Sequence, residues 1–387
     1  MTRSAGTRVF EHLARPRTRG VGLDVWAVED DRAQVVWSSL PEGTVRIEVG
    51  HRRMELEHPG GPGAAEVDGL PPGASQAVVV RGADGASARR RFATLHRPAG
   101  EELFRFATLN DLHLGRGEHG LHGKLPHANR ESSGHPLATA RDALDAALAW
   151  GAGLVVVKGD VCDESHDWTW EQAAKLLADV PVPVRLLPGN HDTGRLRSIE
   201  PDVGAGRHGL VMTRGVDHVD VPGLRLLLVD STTPGNGWGR AARHAAEVSQ
   251  LATEADGGVY VGLHHQAQRL RVPLYWPHGI PAPDAHRFAE ALGAATPRAL
   301  VSSGHTHRCR ARRVHGVPWT EVAATNHFPG TWAGYRVFEG GMIQVVRRTA
   351  DPETLRWTEA TRDALGGIWA LWATGTLADR SLALDWT

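Results

Sequence analysis

Five short apolar runs each stop at the same kind of chemistry, and no other feature of the chain constrains its fold as much. FRFATLNDLH ends on Asp111 and His113, LVVVKGD on Asp160, and VRLLPGNHD on Asn190, His191 and Asp192. VYVGLHH ends on His264 and His265, and LVSSGHTH on His305 and His307. Aliphatic and β-branched runs of this length, bounded by glycine or proline, read as buried strands. Between them lie stretches with helical period. In PLATARDALDAALAW, Leu137, Arg141, Leu144 and Leu148 share a face and Pro136 suits a first turn; WTWEQAAKLLADV, RAARHAAEVSQLATEA and PDAHRFAEALGA follow. Strand and helix in alternation predict a layered α/β domain, expected over 101–350. In such domains the carboxyl ends of strands gather polar groups, because the loops there can carry them.

The first hundred residues have another texture. AQVVWSS, TVRIEVG, QAVVVRG and RRRFATL read as strands and GGPG and LPPGA as turns, which predicts a small all-β sandwich over 1–100, with HRPAGEE (96–102) as linker. VDGLPPGASQAVVV resembles the fibronectin type III family through Val67, Gly69, Leu70 and Pro72, although Gln76 stands where that family has its corner tyrosine. Residues 308–348 alternate like antiparallel strands, and the Trp-rich stretch 351–387 is expected to pack on the α/β domain.

A formal charge of −1 and a pI near 7.1 give no electrostatic reason to expect nucleic acid or a membrane surface as partner. No stretch approaches the roughly 20 apolar residues of a membrane helix, and MTRSAGTRVFEHLARPRTRG lacks the apolar core of a secretory signal. Two cysteines, Cys162 and Cys309, make no disulfide framework. The expectation is a soluble, cytoplasmic protein.

Imidazole, carboxylate and amide oxygen at five strand ends describe a metal site. This donor set suits Zn, Mn or Fe, and no thiolate cluster argues for a closed structural zinc. Seven plausible ligands exceed the needs of one ion. Asp160 is placed to bridge two, about 3.5–4 Å apart. Gly159, Gly189 and Gly304 each precede a candidate, where close approach or unusual backbone angles are expected.

The ordered set D-x-H, G-D, G-N-H-D, H-H and G-H-x-H resembles the calcineurin-like metallophosphoesterase superfamily over about 105–310. That resemblance implies two mixed β-sheets flanked by helices, with a dinuclear site at one edge. It implies one ion on Asp111, His113, Asp160 and His307, the other on Asp160, Asn190, His264 and His305. His191 would act on substrate from outside the coordination shell, its ring oriented by Asp192. Purple acid phosphatases place a tyrosine three residues after the bridging aspartate; here that residue is Asp163. The site is therefore similar to the cyclic-nucleotide and glycerophosphodiester phosphodiesterase branch, whose two divalent ions (Mn, Fe or Zn) imply attack on phosphorus by a bridging hydroxide. The alternatives are a phosphomonoesterase on the same ions, or a non-catalytic interaction protein that keeps the fold. His119, His122, His127 and His135, with Asn129 and Arg130, fall in a polar stretch expected to be a loop or a substrate rim. Asn326 and His327 are further rim candidates, and His265 and Asp163 are expected to support the ligands.

Overall fold

The computed structural model describes residues 21–116, 135–193, 199–270, 277–362 and 368–386. His119, His122, His127, Asn129 and Arg130 lie outside the described residues.

Strands β1 (Asp24–Val28), β2 (Ala33–Val49), β3 (Arg52–Val67), β4 (Ser75–Arg81) and β5 (Ser87–Ala93) pair antiparallel in one sheet. AQVVWSS and TVRIEVG are one long strand, and GGPG lies inside β3 rather than forming a turn. The physical reason is a bulge: the β2–β3 register shifts between Trp37 and Leu40, opposite Gly63 and Gly61. A Cβ on Gly63 would lie 2.3 Å from the Trp37 ring, so the missing side chain makes room for the indole. Val35, Val45, Ile47, Val78 and Val80 fill this unit's own core.

The α/β region builds two six-stranded mixed sheets. The first joins β6 (Glu102–Leu109), β7 (Val155–Lys158) and β8 (Val184–Leu187) in parallel. The second contains β9 (Val216–Val221), β10 (Leu224–Val229), β11 (Gly258–Gly262), β12 (Ala299–Ser303), β13 (Arg310–Val314) and β14 (Val317–Glu321), in the order β13-β14-β12-β11-β10-β9. Strands β15 (Thr331–Phe338), β16 (Gly341–Arg348) and β17 (Ser381–Asp385) then return to the first sheet, which runs β17-β16-β15-β6-β7-β8. The C-terminal stretch thus supplies an edge strand as well as a cover.

The sheets face each other across Phe106, Val156, Leu187, Leu226, Leu228, Tyr260, Leu300 and Tyr335. Phe106 stacks on Tyr335 at 4.5 Å and meets Tyr260 edge-on at 5.0 Å. Burying each such ring contributes about 1.5–3 kcal/mol. Helices α1 (His135–Ala149) and α2 (Asp167–Leu177) cover the outer face of the first sheet; beyond the short α3 (Pro201–Arg207), α4 (Ala245–Thr253) and α5 (Ala282–Ala295) cover the second. The expected helices are all present. His135 opens α1, stacked on Trp357 at 4.1 Å.

Helices α6 (Pro352–Arg362), α7 (Ile368–Thr374) and α8 (Leu377–Arg380) complete the chain. The N-terminal sheet is joined to the first large sheet by buried charge. Glu29 accepts from Arg347 at 2.7 Å, from Arg336 at 3.2 Å and from the Trp150 indole at 3.1 Å, while Asp30 pairs with Arg336. The Gln34 amide copies a strand partner for Arg348, accepting from its N–H at 2.9 Å and donating to its carbonyl at 3.0 Å. Among the described residues no helix is long and apolar enough to cross a membrane.

Candidate metal centre

Strands β6, β7 and β8 of one sheet, and β11 and β12 of the other, all end at one place, so the loops after them converge. The backbone turns sharply there. Six non-glycine residues among those described have positive φ, and five of them are Asp111 (55°), His113 (47°), Asp160 (49°), His305 (66°) and His307 (52°). Each such left-handed residue costs on the order of 1–3 kcal/mol, and strain of this kind concentrates at functional sites. The expected glycines help in a different way from one another. Gly159 has φ 88°, whereas Gly189 lacks a side chain because its Cβ would lie 2.1 Å from the Asp160 carboxylate.

Asp111, His113, Asp160 and His307 form one group of converging ligand atoms, and His264, His265 and His305 form another. Within the first, His113 Nε2 lies 3.3 Å from His307 Nε2, and His307 Nε2 lies 3.3 Å from Asp111 Oδ1. Within the second, His264 Nε2 lies 3.2 Å from His305 Nδ1 and 3.1 Å from Asn190 Oδ1. Asp160 stands between them: its Oδ2 is 3.6 Å from His113 Nε2 and 3.4 Å from His264 Nε2. All seven candidates from the sequence meet here.

The outward nitrogen of each ring has its own acceptor. His113 Nδ1 donates to Asp163 at 3.0 Å, His264 Nδ1 to the Lys158 carbonyl at 2.9 Å, and His305 Nε2 to the His278 carbonyl at 3.1 Å. His307 Nδ1 donates to His327 Nε2 at 2.7 Å, and His327 Nδ1 in turn to the Phe328 carbonyl at 2.9 Å. Those bonds fix the tautomers and aim four lone pairs inward. Ring nitrogens facing each other about 3.2–3.3 Å apart, beside two buried carboxylates, need a proton or a metal ion between them; the donor set fits divalent ions.

The family comparison agrees with this geometry. The model of the calcineurin-like phosphoesterase family matches residues 104–309, over half of the 387-residue chain. The chain belongs to that family. Over 199 residues it is 27% identical to a probable cyclic nucleotide phosphodiesterase of Rhodococcus erythropolis, covering 48% of this chain and 62% of that protein. Over 180 residues it is 25% identical to the glycerophosphodiester phosphodiesterase GpdQ of Enterobacter lignolyticus, covering 45% and 62%. The chain thus spans less than two thirds of the length of these curated relatives. Among solved structures, a purple acid phosphatase from yellow lupin superposes with a TM-score of 0.45 at 13% identity, covering 85% of this chain and 72% of that one.

In this family member the carboxylates set the charge balance of the site. Burial opposes a charge on His264, but Asp160 and Asp111 outweigh it and raise its pKa to about 9. His305 is pushed down to about 3 by burial and by His264, and His113 to about 4, chiefly by burial. Burial also opposes the charge on Asp160, yet His264 and His191 hold its carboxyl well below the usual range.

One expectation needs correction. Asp192 does not orient His191. Its carboxylate is a buried brace that accepts the N–H groups of Gly189 (2.8 Å), Cys162 (2.8 Å) and Val161 (3.1 Å), tying the β8 loop to the β7 loop. Burial and the neighbouring Asp160 raise its pKa to about 7. His191 is instead held by Asp163: Nδ1 donates to the Asp163 carbonyl at 2.9 Å, with the carboxylate at 3.3 Å. Burial disfavours charge on His191, but Asp160 and Asp163 raise its pKa to about 9. Its side chain stays 31% exposed.

Sequence reasoning placed Asp163 only as support and named His327 only as a rim residue; both hold imidazoles of the site. Lys158 was missed altogether. It is buried under the site, donates to Ser302 at 2.8 Å and to the Ser303 carbonyl at 3.2 Å, and burial lowers its pKa to about 7. A lysine inside the otherwise apolar LVVVK run was the available signal. Asn326 is buried, its carbonyl taken by the Trp357 indole at 2.9 Å. Cys162 and Cys309 are buried too, and burial pushes the Cys309 thiol up to about 11.

Proposed function

We propose that this chain is a two-metal phosphodiesterase acting on small diesters of the cyclic-nucleotide or glycerophosphodiester type. The observation that carries the reading is Asp160, set between two imidazole pairs whose lone pairs converge. Asp111, His113, Asp160 and His307 would hold one divalent ion, and Asp160, Asn190, His264 and His305 the other. Such ions would supply charge neutralisation on the phosphoryl group and activation of water. The chain's own residues do the rest. Asp163 fixes His113 and His191 in register with each other, the two rings lying 4.6 Å apart edge to face. His191, protonated, offers Nε2 as donor to the developing negative charge or to the leaving oxygen. Asp192 holds the Gly189 and Val161 loops at the separation that lets Asp160 serve both halves. The names of the relatives support a diester over a monoester.

The same reading makes residues 1–100 a fibronectin type III-like unit, 101–350 the catalytic domain and 351–387 its Trp-rich cover, in a cytoplasmic protein. The test is hydrolysis of bis(p-nitrophenyl) phosphate beside p-nitrophenyl phosphate, after chelation and separate return of Mn, Zn and Fe. Metal-restored hydrolysis, faster on the diester, is expected. Preference for the monoester would make the chain a phosphomonoesterase, and folded protein inert with every metal would leave the interaction-protein reading.

A further inference from the structure

Beside the ligand loops, four guanidiniums gather around two carboxylates. Arg310 and Arg312 lie on β13 and Arg308 two residues before, so strand alternation puts all three on one face. Glu321, the cross-strand partner of Arg310, is fully buried. It accepts from Arg308 Nε at 2.8 Å, but Arg310 Nη1 and Arg312 Nε stay at 3.7 and 3.8 Å, beyond hydrogen-bond reach. Arg269, exposed, stands two residues after Ala267, the residue whose carbonyl Arg312 takes, and so adds its charge to Arg310 and Arg312. The second carboxylate, Asp379, is occupied by the Ala311 N–H and by the N–H and hydroxyl of Thr376. Four positive charges against two negative leave two in surplus.

A purely structural brace would balance its charges, because burying unpaired charge is expensive. Here Arg312 Nε and Glu321 Oε1 face each other at 3.8 Å without a hydrogen bond, and neither has another hydrogen-bond partner among the described residues. Burial lowers the pKa of Arg310, and that of Arg312 to about 10, which registers the cost. The cluster also touches both ligand-bearing loops. Thr306, between His305 and His307, donates its hydroxyl to Glu321 at 3.0 Å, and Arg312 donates to the carbonyl of Ala267, three residues past His264. Arg310 follows His307 by three residues, so its backbone is at most roughly 10 Å away.

We propose that this arginine cluster is a second anion subsite, holding a phosphate monoester borne by the same substrate whose diester lies at the metal centre. Guanidinium forks suit phosphate through paired N–H donors. The inference rests on the phosphodiesterase reading and adds a substrate class: diesters with a second, terminal phosphate.

The test compares two p-nitrophenol-releasing diesters, thymidine 5′-(p-nitrophenyl phosphate) and the same compound with a 3′-phosphate. Wild-type enzyme is expected to show a KM about tenfold lower for the 3′-phosphorylated ester, at similar kcat. Arg310→Gln and Arg269→Gln should each erase most of that difference while leaving bis(p-nitrophenyl) phosphate hydrolysis unchanged. Equal KM values for the two esters in wild type, or variants that weaken both esters alike, would overturn the subsite. If no diester is hydrolysed with any metal, the phosphodiesterase reading fails separately, and the subsite is judged by calorimetric titration of thymidine 3′,5′-bisphosphate into chelated protein. Saturable binding lost in Arg310→Gln supports it; no binding refutes it. Inorganic phosphate binding equally tightly would refute a substrate-borne phosphate and leave a free-phosphate site.

Discussion

Asp163 is the sharpest point at which to perturb the site, because one residue outside both proposed ion shells holds two imidazoles, His113 by its carboxylate and His191 chiefly by its carbonyl. Replacing it with alanine leaves the His113 Nδ1–H buried without its 3.0 Å acceptor and removes the carboxylate 3.3 Å from His191. A buried donor left unsatisfied costs about 1–3 kcal/mol, and each 1.4 kcal/mol is tenfold in an equilibrium constant. If that cost falls on the liganding geometry of His113, metal affinity drops roughly tenfold to a hundredfold, the range seen when outer hydrogen bonds to metal-binding histidines are cut. Asp163→Asn should fall between, since its amide oxygen still accepts from one ring while the charge is lost. His191 keeps its bond to the residue 163 carbonyl in both variants, so its position changes less than its proton affinity, which should fall. Metal content by mass spectrometry after dialysis, with diester turnover at saturating metal across pH, separates these effects. Affinity and turnover in Asp163→Ala both within twofold of wild type would refute the claim that this carboxylate organises the centre.

His191→Ala should keep both metals and lower kcat by roughly a hundredfold or more, as expected for a lost proton donor; loss of metal by mass spectrometry would instead make it a ligand. Gly189→Ala places a Cβ 2.1 Å from the Asp160 carboxylate and 2.2 Å from its backbone nitrogen, so calorimetry should show a lower Tm together with weaker metal binding. The chelated protein should be most stable near pH 6.5. His191 and His264, raised to about 9, lose their contribution as pH rises from 6.5 through 9, against the single gain from Lys158, lowered to about 7. Below 6.5 the cost from His113 and His305, depressed to about 4 and 3, is partly offset by Asp192 and Asp142, raised to about 7 and 6, so the acid limb is shallow. A Tm in chelator that rises steadily from pH 5 to 9 would contradict this balance, and His264→Ala should flatten the alkaline limb.

Much of this was present in the order of residues. Period and turn signals separated strands from helices, and each strand's end carried its own donors: Asp111 and His113, Asp160, Asn190, His264, His305 and His307. Local chemistry reaches that far because a strand and the loop after it are contiguous. The interior glycines of β3 were misread as a turn, since a bulge that accommodates Trp37 and a hairpin use the same residues. Strand β17 carried no strong signal, because an edge strand is specified by its neighbour β16 rather than by itself.

What only the tertiary structure decided is which side chains serve which. Asp163 rather than Asp192 holds His191, since the β8 loop turns Asp192 inward onto three backbone N–H groups. His327 supports His307 from twenty residues away, and Arg310 and Arg312 join Arg269 across more than forty. The sequence alone determined the donors and the layered fold, because both follow from short-range pattern. The hydrogen bonds that fix each ring's tautomer, and the surplus charge beside them, depend on the packing of two sheets against each other, which no local pattern encodes.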